Sequence, residues 1–446
     1  MARPYEERAA WYRALLAGSP ALAPLAGALP VEPGSPGSVV AGLVLAPVLG
    51  DFTQWLLAQA KERGTRRLYF LARDGYYVFR AAEALNRALG LGLDCRYLYC
   101  SRRALGIPLF HLDRRRGLDA LCRGGMDLTL DQVLARAGLS PEERRQAAGE
   151  LGLPFSLAQR LPKRALPQVR QALGQSPVFL NLAGGYSRKA LPGLVGYLEQ
   201  EGLLEDLPWA LVDSGWMGSL QRGLQQVLQS RGRGRPLEGY YFGLYQIPKG
   251  MDPRRFHGYA FTPAGPRQWK MELNNCVFEA VFAAPHGTTL GYRQVGGRWA
   301  PVLERWESHP LGEWLGRCLD RCTPALVQLC GERGLASTEA SRDRALRLFA
   351  AFCHTPWPQE AAVFGRLPFS DGAGKAKPLA APLAERELWL SHSPARLLAQ
   401  AVAASPGRES AWPQGTAALS ARAPQLCWEA YRWYQALRFF KMPPRG

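Results

Sequence analysis

Short runs of aromatic and aliphatic residues alternate with longer amphipathic stretches through the first half of the chain. The run at 67–71, Arg-Leu-Tyr-Phe-Leu, predicts a strand, and the 3.6-residue spacing of apolar positions after it predicts a helix over 76–89. A second strand is predicted at 96–100, so that 67–100 reads as a β-α-β unit. Residues 209–212, 219–229 and 238–245 read as strand, helix and strand, a second unit of the same kind. Between the two units, 105–205 is rich in Arg, Gln, Leu and Ala and predicts a helical insertion.

Ahead of the first unit, the pattern predicts a short helix over 5–16, a Pro/Gly/Ser-rich connector, and a helix over 38–63 with Leu43, Phe52, Trp55, Leu56 and Ala60 on its apolar side. Beyond 246, helices are expected at 271–283, 311–333, 341–353 and 424–441, with loops at 247–268, 355–382 and 405–416. The expected class is α/β, an open parallel sheet carrying a helical insertion and a mostly helical C-terminal region. The expected divisions are 1–37, 38–104, 105–205, 206–300 and 301–446.

A chain of 446 residues with 47% hydrophobic content buries a sizeable core, which excludes a disordered chain. Its nine cysteines show no zinc-site spacing and read as reduced thiols. The N-terminus carries charges of both signs and no apolar signal region. The most apolar window, 39–49, contains Pro47 and is too short to span a bilayer. The expected location is therefore cytoplasmic. The formal net charge of +18 is carried mainly by Arg. It has two readings: the joint abundance of Arg, Ala, Gly and Pro that a GC-rich coding sequence produces, or an anionic partner. The Arg-Gly run at 231–235 is a solvated loop rather than an RNA-binding repeat, and no specific nucleic-acid partner is expected.

Candidate chemistry sits where predicted strands end. Open α/β sheets bind ligands at the carboxyl ends of their strands, where a following helix presents unpaired N–H groups. After the first strand come Arg73, Asp74 and Gly75; after the second, Ser101, Arg102 and Arg103; after the third, Asp213, Ser214, Gly215, Trp216, Met217, Gly218 and Ser219. Asp213 can accept hydrogen bonds from sugar hydroxyls, while glycines and Ser219 suit a phosphate group. Arg73 suits a bidentate contact to pyrophosphate. Two further candidates are Glu279, on an apolar helix, and His286, at the start of a polar loop; each also reads as a structural hydrogen-bond partner.

The order of these strands and loops resembles the type I phosphoribosyltransferase core. The segments RLYFLARDGYYVFRAAEAL, YLYCSRRAL, VDSGWMGSLQRGL and GYYFGLY are similar to a narrower group of bacterial polysaccharide-cluster proteins, often fused to a haloacid-dehalogenase phosphatase. The resemblance covers roughly 40–300 in patches. It implies transfer of ribofuranose 5-phosphate from phosphoribosyl pyrophosphate to a glycan acceptor, possibly lipid-linked. Mg²⁺ would be held mainly through the donor's pyrophosphate rather than by dedicated protein ligands. Asp213 and Ser214 then face the ribose, Gly215 to Ser219 the 5-phosphate, and Arg73, Arg102 and Arg103 the leaving group. Asp74 is the first-ranked base for the acceptor. Asp213 stands alone where the larger family has two acids, which turns the expectation away from nucleobase salvage. The Asp-x-Asp pair of the phosphatase is missing from Asp213-Ser214-Gly215, so a separate phosphatase is expected. A different class of function fits the same loops: a non-catalytic binder of ribose phosphates or nucleotides acting as regulator or assembly partner.

The C-terminal helix mixes Trp428, Tyr431, Trp433, Tyr434, Phe439 and Phe440 with Arg432, Arg438 and Lys441. That combination suits either docking on the core or a peripheral contact at the inner face of the plasma membrane.

Overall fold

The computed structural model describes residues 5–125, 128–370, 376–384, 386–388, 397 and 410–440. Strands β1 (Arg67–Leu71), β2 (Asp94–Leu98), β3 (Trp209–Trp216), β4 (Glu238–Leu244) and β5 (Phe256–Phe261) form one parallel sheet in the order β2-β1-β3-β4-β5. Both faces are covered, which is why the strands read as near-continuous apolar runs. Leu68, Phe70, Ala210 and Val212 join one core with the helices Ala46–Glu62, Tyr76–Leu89, Pro310–Arg333 and Glu339–His354. Tyr69, Leu71, Trp209 and Leu211 join the opposite core with Arg102–Leu112, Pro177–Gln200 and Ser219–Ser230. From β1 the chain winds outward to β2, and from β3 it winds the other way through β4 to β5. The reversal between β1 and β3 is a topological switch point, where doubly wound sheets open a crevice beyond their carboxyl ends.

Several boundaries differ from the sequence reading. The helix predicted over 38–63 runs from Pro36 to Glu62, and Pro47 does not break it. A wide turn at Ala41–Leu45 precedes the proline and loosens the ladder where its ring would meet the carbonyl one turn back. This helix is long and apolar enough to cross a membrane by length and composition, and nearly all of it is buried inside the fold. The segment expected to be a loop at 247–268 contains edge strand β5. Beyond it lies an antiparallel hairpin of β6 (Thr289–Val295) and β7 (Arg298–Leu303), unforeseen because its outer half is exposed and weakly patterned. The predicted helix over 271–283 is two helices, Arg267–Glu272 and Asn275–Val281, the second capped by Asn274 Oδ1 on the backbone N–H groups of Cys276 and Val277. Pro358–Phe364 and Pro413–Ser420 are helices in the other two expected loops.

The insertion gathers its own core around Leu130, Val133, Leu134, Val169, Leu173 and Phe179. The C-terminal helix Pro424–Phe440 docks through Cys427, which is buried, and Trp428, whose indole N–H donates to the Gln414 carbonyl at 3.1 Å. Leu426 and Trp433 on the same helix are 60% and 70% exposed. The side chains of Arg438, Phe439 and Phe440, and Lys441 altogether, lie outside the described residues.

Two glycines in left-handed backbone separate strain from crowding. Gly215 has φ 106°, and a Cβ there would collide with the Gly243 carbonyl on β4; Gly90 has φ 58° with open space around it. Gly215→Ala is expected to cost about 3 kcal/mol, the sum of backbone strain and overpacking, and Gly90→Ala about 1 kcal/mol from strain alone. Urea midpoints followed by tryptophan fluorescence check this; equal losses at the two sites would contradict it.

Candidate functional site

The first loop turns sharply out of β1. Gly75 N donates to Leu71 O at 3.0 Å, and a Cβ on Gly75 would stand 2.7 Å from that same oxygen, so only glycine fits there. Within the loop the Ala72–Arg73 peptide is cis. The third strand departs from expectation: β3 does not stop at Val212 but continues through Trp216. Its pairing with β1 ends at Phe70–Val212, while its pairing with β4 extends to Trp216–Leu244. Asp213 to Trp216 are therefore strand rather than loop, lying beyond the pairing with β1 at the switch point. The turn itself is only Met217 and Gly218, with Gly218 at φ 58° before the helix Ser219–Ser230.

Ser214 Oγ donates to Asp74 Oδ2 at 2.6 Å and ties the two loops together. Asp213 and Glu279 join this pair. All three carboxylates keep some solvent access yet are ringed by protein, as expected at the floor of a cleft. Burial pushes the Asp213 carboxyl up to about 8, with the charges of Asp74 and Glu279 adding to the effect and Arg102 opposing it. Burial and then Asp74 push Glu279 up to about 7. Asp74 is also raised by burial, against the Ser214 hydrogen bond and the charges of Arg73 and Arg102. Their oxygen-only chemistry suits a hard cation such as Mg²⁺, but no group of three ligating side chains among the described residues could hold a metal ion.

The remaining predicted residues divide. Arg73 lies over the Trp306 ring at 5.5 Å and acts on Asp74, Glu279 and His286. Arg102 acts on all three carboxylates from the first turn of its helix. Arg103, turned about 100° around the same helix, is exposed and has no ionic partner among the described residues. Met217 is exposed at the turn.

Three of the predicted residues have partners within the protein. Ser101, expected to contact substrate, caps its helix by accepting from Ala104 N at 3.0 Å and donates to Thr289 O at 2.6 Å, so its hydroxyl is committed. Trp216, also expected at substrate, is 7% exposed and packs on Phe242 and Phe278, because its left-handed backbone (φ 67°) turns the ring into the core near Glu279. His286 uses both ring nitrogens: Nδ1 donates to Gly287 O at 2.9 Å, which leaves Nε2 to accept from the Tyr97 hydroxyl at 2.7 Å. Burial, with Arg73 nearby, holds its pKa down, so it supports Tyr97 as a neutral ring instead of meeting an acceptor.

Sequence reasoning missed Arg123. Its Nη1 donates to Ser219 Oγ at 2.9 Å, bringing the insertion to the start of the helix after β3. No spacing or motif marked it among the chain's 55 basic residues. No protein-family model matches the chain, and no curated protein matches it either.

The raised Asp213 pKa fixes a pH dependence. The folded protein holds this proton more tightly than the unfolded chain, so the associated stability is complete below the ordinary carboxylate value of 3.8 and is lost as pH rises through about 8. In metal-free buffer, Asp213→Asn should raise the melting temperature more at about pH 8 than at about pH 5. Equal gains at the two pH values would contradict the buried, mutually repelling carboxylates.

Proposed function

We propose that the chain is a phosphoribosyltransferase-like glycosyltransferase. It moves ribofuranose 5-phosphate from phosphoribosyl pyrophosphate to a glycan acceptor in cell-surface polysaccharide assembly, and a separate phosphatase removes the 5-phosphate. What carries this reading is the distribution of charge at the switch point. Hydrogen-bond-accepting carboxylates (Asp74, Asp213, Glu279) share the switch point with the cations Arg73 and Arg102, and the Arg123–Ser219 contact opens the helix that follows β3. A ribose, with hydroxyls in its middle and anionic groups at C1 and C5, calls for that combination of groups.

Cleavage of the C1–O bond to pyrophosphate passes through an oxocarbenium-like state, as in other glycosyl transfers. Bound Mg²⁺ would supply charge neutralisation on the departing pyrophosphate. Arg73 and Arg102 place cations beside the same group. Asp213 orients the ribose hydroxyls, and Ser214 keeps Asp74 fixed beside it. As the acceptor oxygen bonds to C1, its proton passes to a carboxylate. Glu279, raised to about 7, suits that task better than Asp74, which already accepts from Ser214. Exposed Leu426 and Trp433 on the C-terminal helix offer a peripheral contact where a lipid-linked acceptor enters.

The test is pyrophosphate release from phosphoribosyl pyrophosphate with Mg²⁺ and lipid-linked acceptors. Asp213→Ala should lower the rate by about a thousandfold while circular dichroism stays unchanged. Full activity in that variant would overturn the proposal. Donor-induced stabilisation of the wild type with no pyrophosphate release would instead mark a non-catalytic binder.

A further inference from the structure

The helical insertion brings to the cleft a cation whose placement its own fold does not explain. Arg123 lies between the helices Arg114–Leu121 and Leu130–Ala135, distant in sequence from β3, yet it donates to Ser219 Oγ at 2.9 Å. The segment is fixed from behind: Arg136 Nη1 donates to the carbonyls of Leu121 at 2.9 Å and Arg123 at 2.5 Å. The described charges that act on the guanidinium are all positive. Burial, then Arg102, Arg222 and Arg136, bring its pKa down to about 10. No carboxylate among the described residues forms an ion pair with Arg123, and its one hydrogen bond leaves most of its five donors unused. Arg222 is lowered as well, by burial and Arg116 against the opposing charges of Asp119 and Asp113.

A half-buried guanidinium among other cations is an unfavourable arrangement that an anion relieves. By occupying an acceptor position on Ser219 Oγ, Arg123 also leaves the Ser219 O–H free to donate outward. We propose that Arg123 is a ligand of the substrate's phosphate monoester, so that the helical insertion completes the donor site and selects a 5-phosphorylated ribose over free ribose. The ribose part rests on the glycosyl-transfer reading above; the phosphate part does not. The monoester is favoured over a phosphodiester because its second negative charge meets Arg222 as well as Arg123.

Calorimetric titration of the full chain separates these components. The probes are inorganic phosphate, ribose 5-phosphate, ribose and dimethyl phosphate, each against wild type, Arg123→Gln, Arg123→Lys and Asp213→Asn. Phosphate and ribose 5-phosphate should bind Arg123→Gln about ten- to a hundredfold more weakly than wild type, with Arg123→Lys between them. Asp213→Asn should weaken ribose 5-phosphate more than inorganic phosphate, and dimethyl phosphate should show no dependence on Arg123. If Arg123→Gln fails to fold by circular dichroism, Arg123→Lys carries the comparison, because it keeps the charge and loses the fork. Absence of phosphate binding by wild type, equal binding by the variants, or an equal loss for dimethyl phosphate would overturn the assignment. Arg123-dependent phosphate binding without turnover of phosphoribosyl pyrophosphate would sustain this inference and defeat the glycosyl-transfer reading.

Discussion

The hydrogen bond from Ser214 Oγ to Asp74 Oδ2 spans the gap where β1 and β3 part company. Backbone pairing between these strands ends at Phe70–Val212, so beyond that point no ladder holds their loops in register. A single charge-assisted bond of 2.6 Å performs that task, and it does so with a carboxylate that burial would otherwise drive toward the protonated form. Gly75 and Gly215 make the approach possible from the two sides, one by fitting under the Leu71 carbonyl and the other by passing against the Gly243 carbonyl. The switch point, its acids and the β3 residues beyond the pairing with β1 all depend on this join.

Around it, charges of both signs are held in arrangements that the protein alone leaves unbalanced. Asp74 and Glu279 raise the proton affinity of Asp213, and Asp74 that of Glu279, while Arg102, Arg222 and Arg136 act on Arg123 beside the start of the helix after β3. Elsewhere the chain pairs its buried charges. Glu360 accepts from Tyr5, Tyr12 and Arg8, and Asp51 accepts from Tyr259, Ser337 and Ser341. The contrast marks the switch point as the place among the described residues that the proposed site would occupy.

The β-α-β units were legible because RLYFL and EGYYFGL are buried on both faces and bounded by glycines and charge, a pattern that the doubly wound sheet requires. The carboxyl edge of the sheet at Asp74 and Asp213 was legible for the same reason, since strands followed by helical periodicity mark it, although Asp213 to Trp216 extend the strand where a loop was expected. Edge strand β5 and the β6–β7 hairpin were not, since partial exposure weakens the alternation that marks a strand. Side-chain commitments were less legible still. Ser101 and His286 are polar residues near the cleft whose partners, Thr289, Gly287 and Tyr97, are set by tertiary packing, and Arg123 arrives from a separate core. Glu279 was found from the oddity of an acid on an apolar helix, and the helix places it where its charge acts on Asp213.

The central claim is that one crevice engages a ribose donor at both of its anionic ends. Phosphorus NMR of phosphoribosyl pyrophosphate with Mg²⁺, titrated with the full chain, reports each phosphate separately. The account predicts that the 5-phosphate and both pyrophosphate resonances shift together with one binding constant. Unperturbed resonances at saturating protein, or a shift confined to the pyrophosphate, would contradict it.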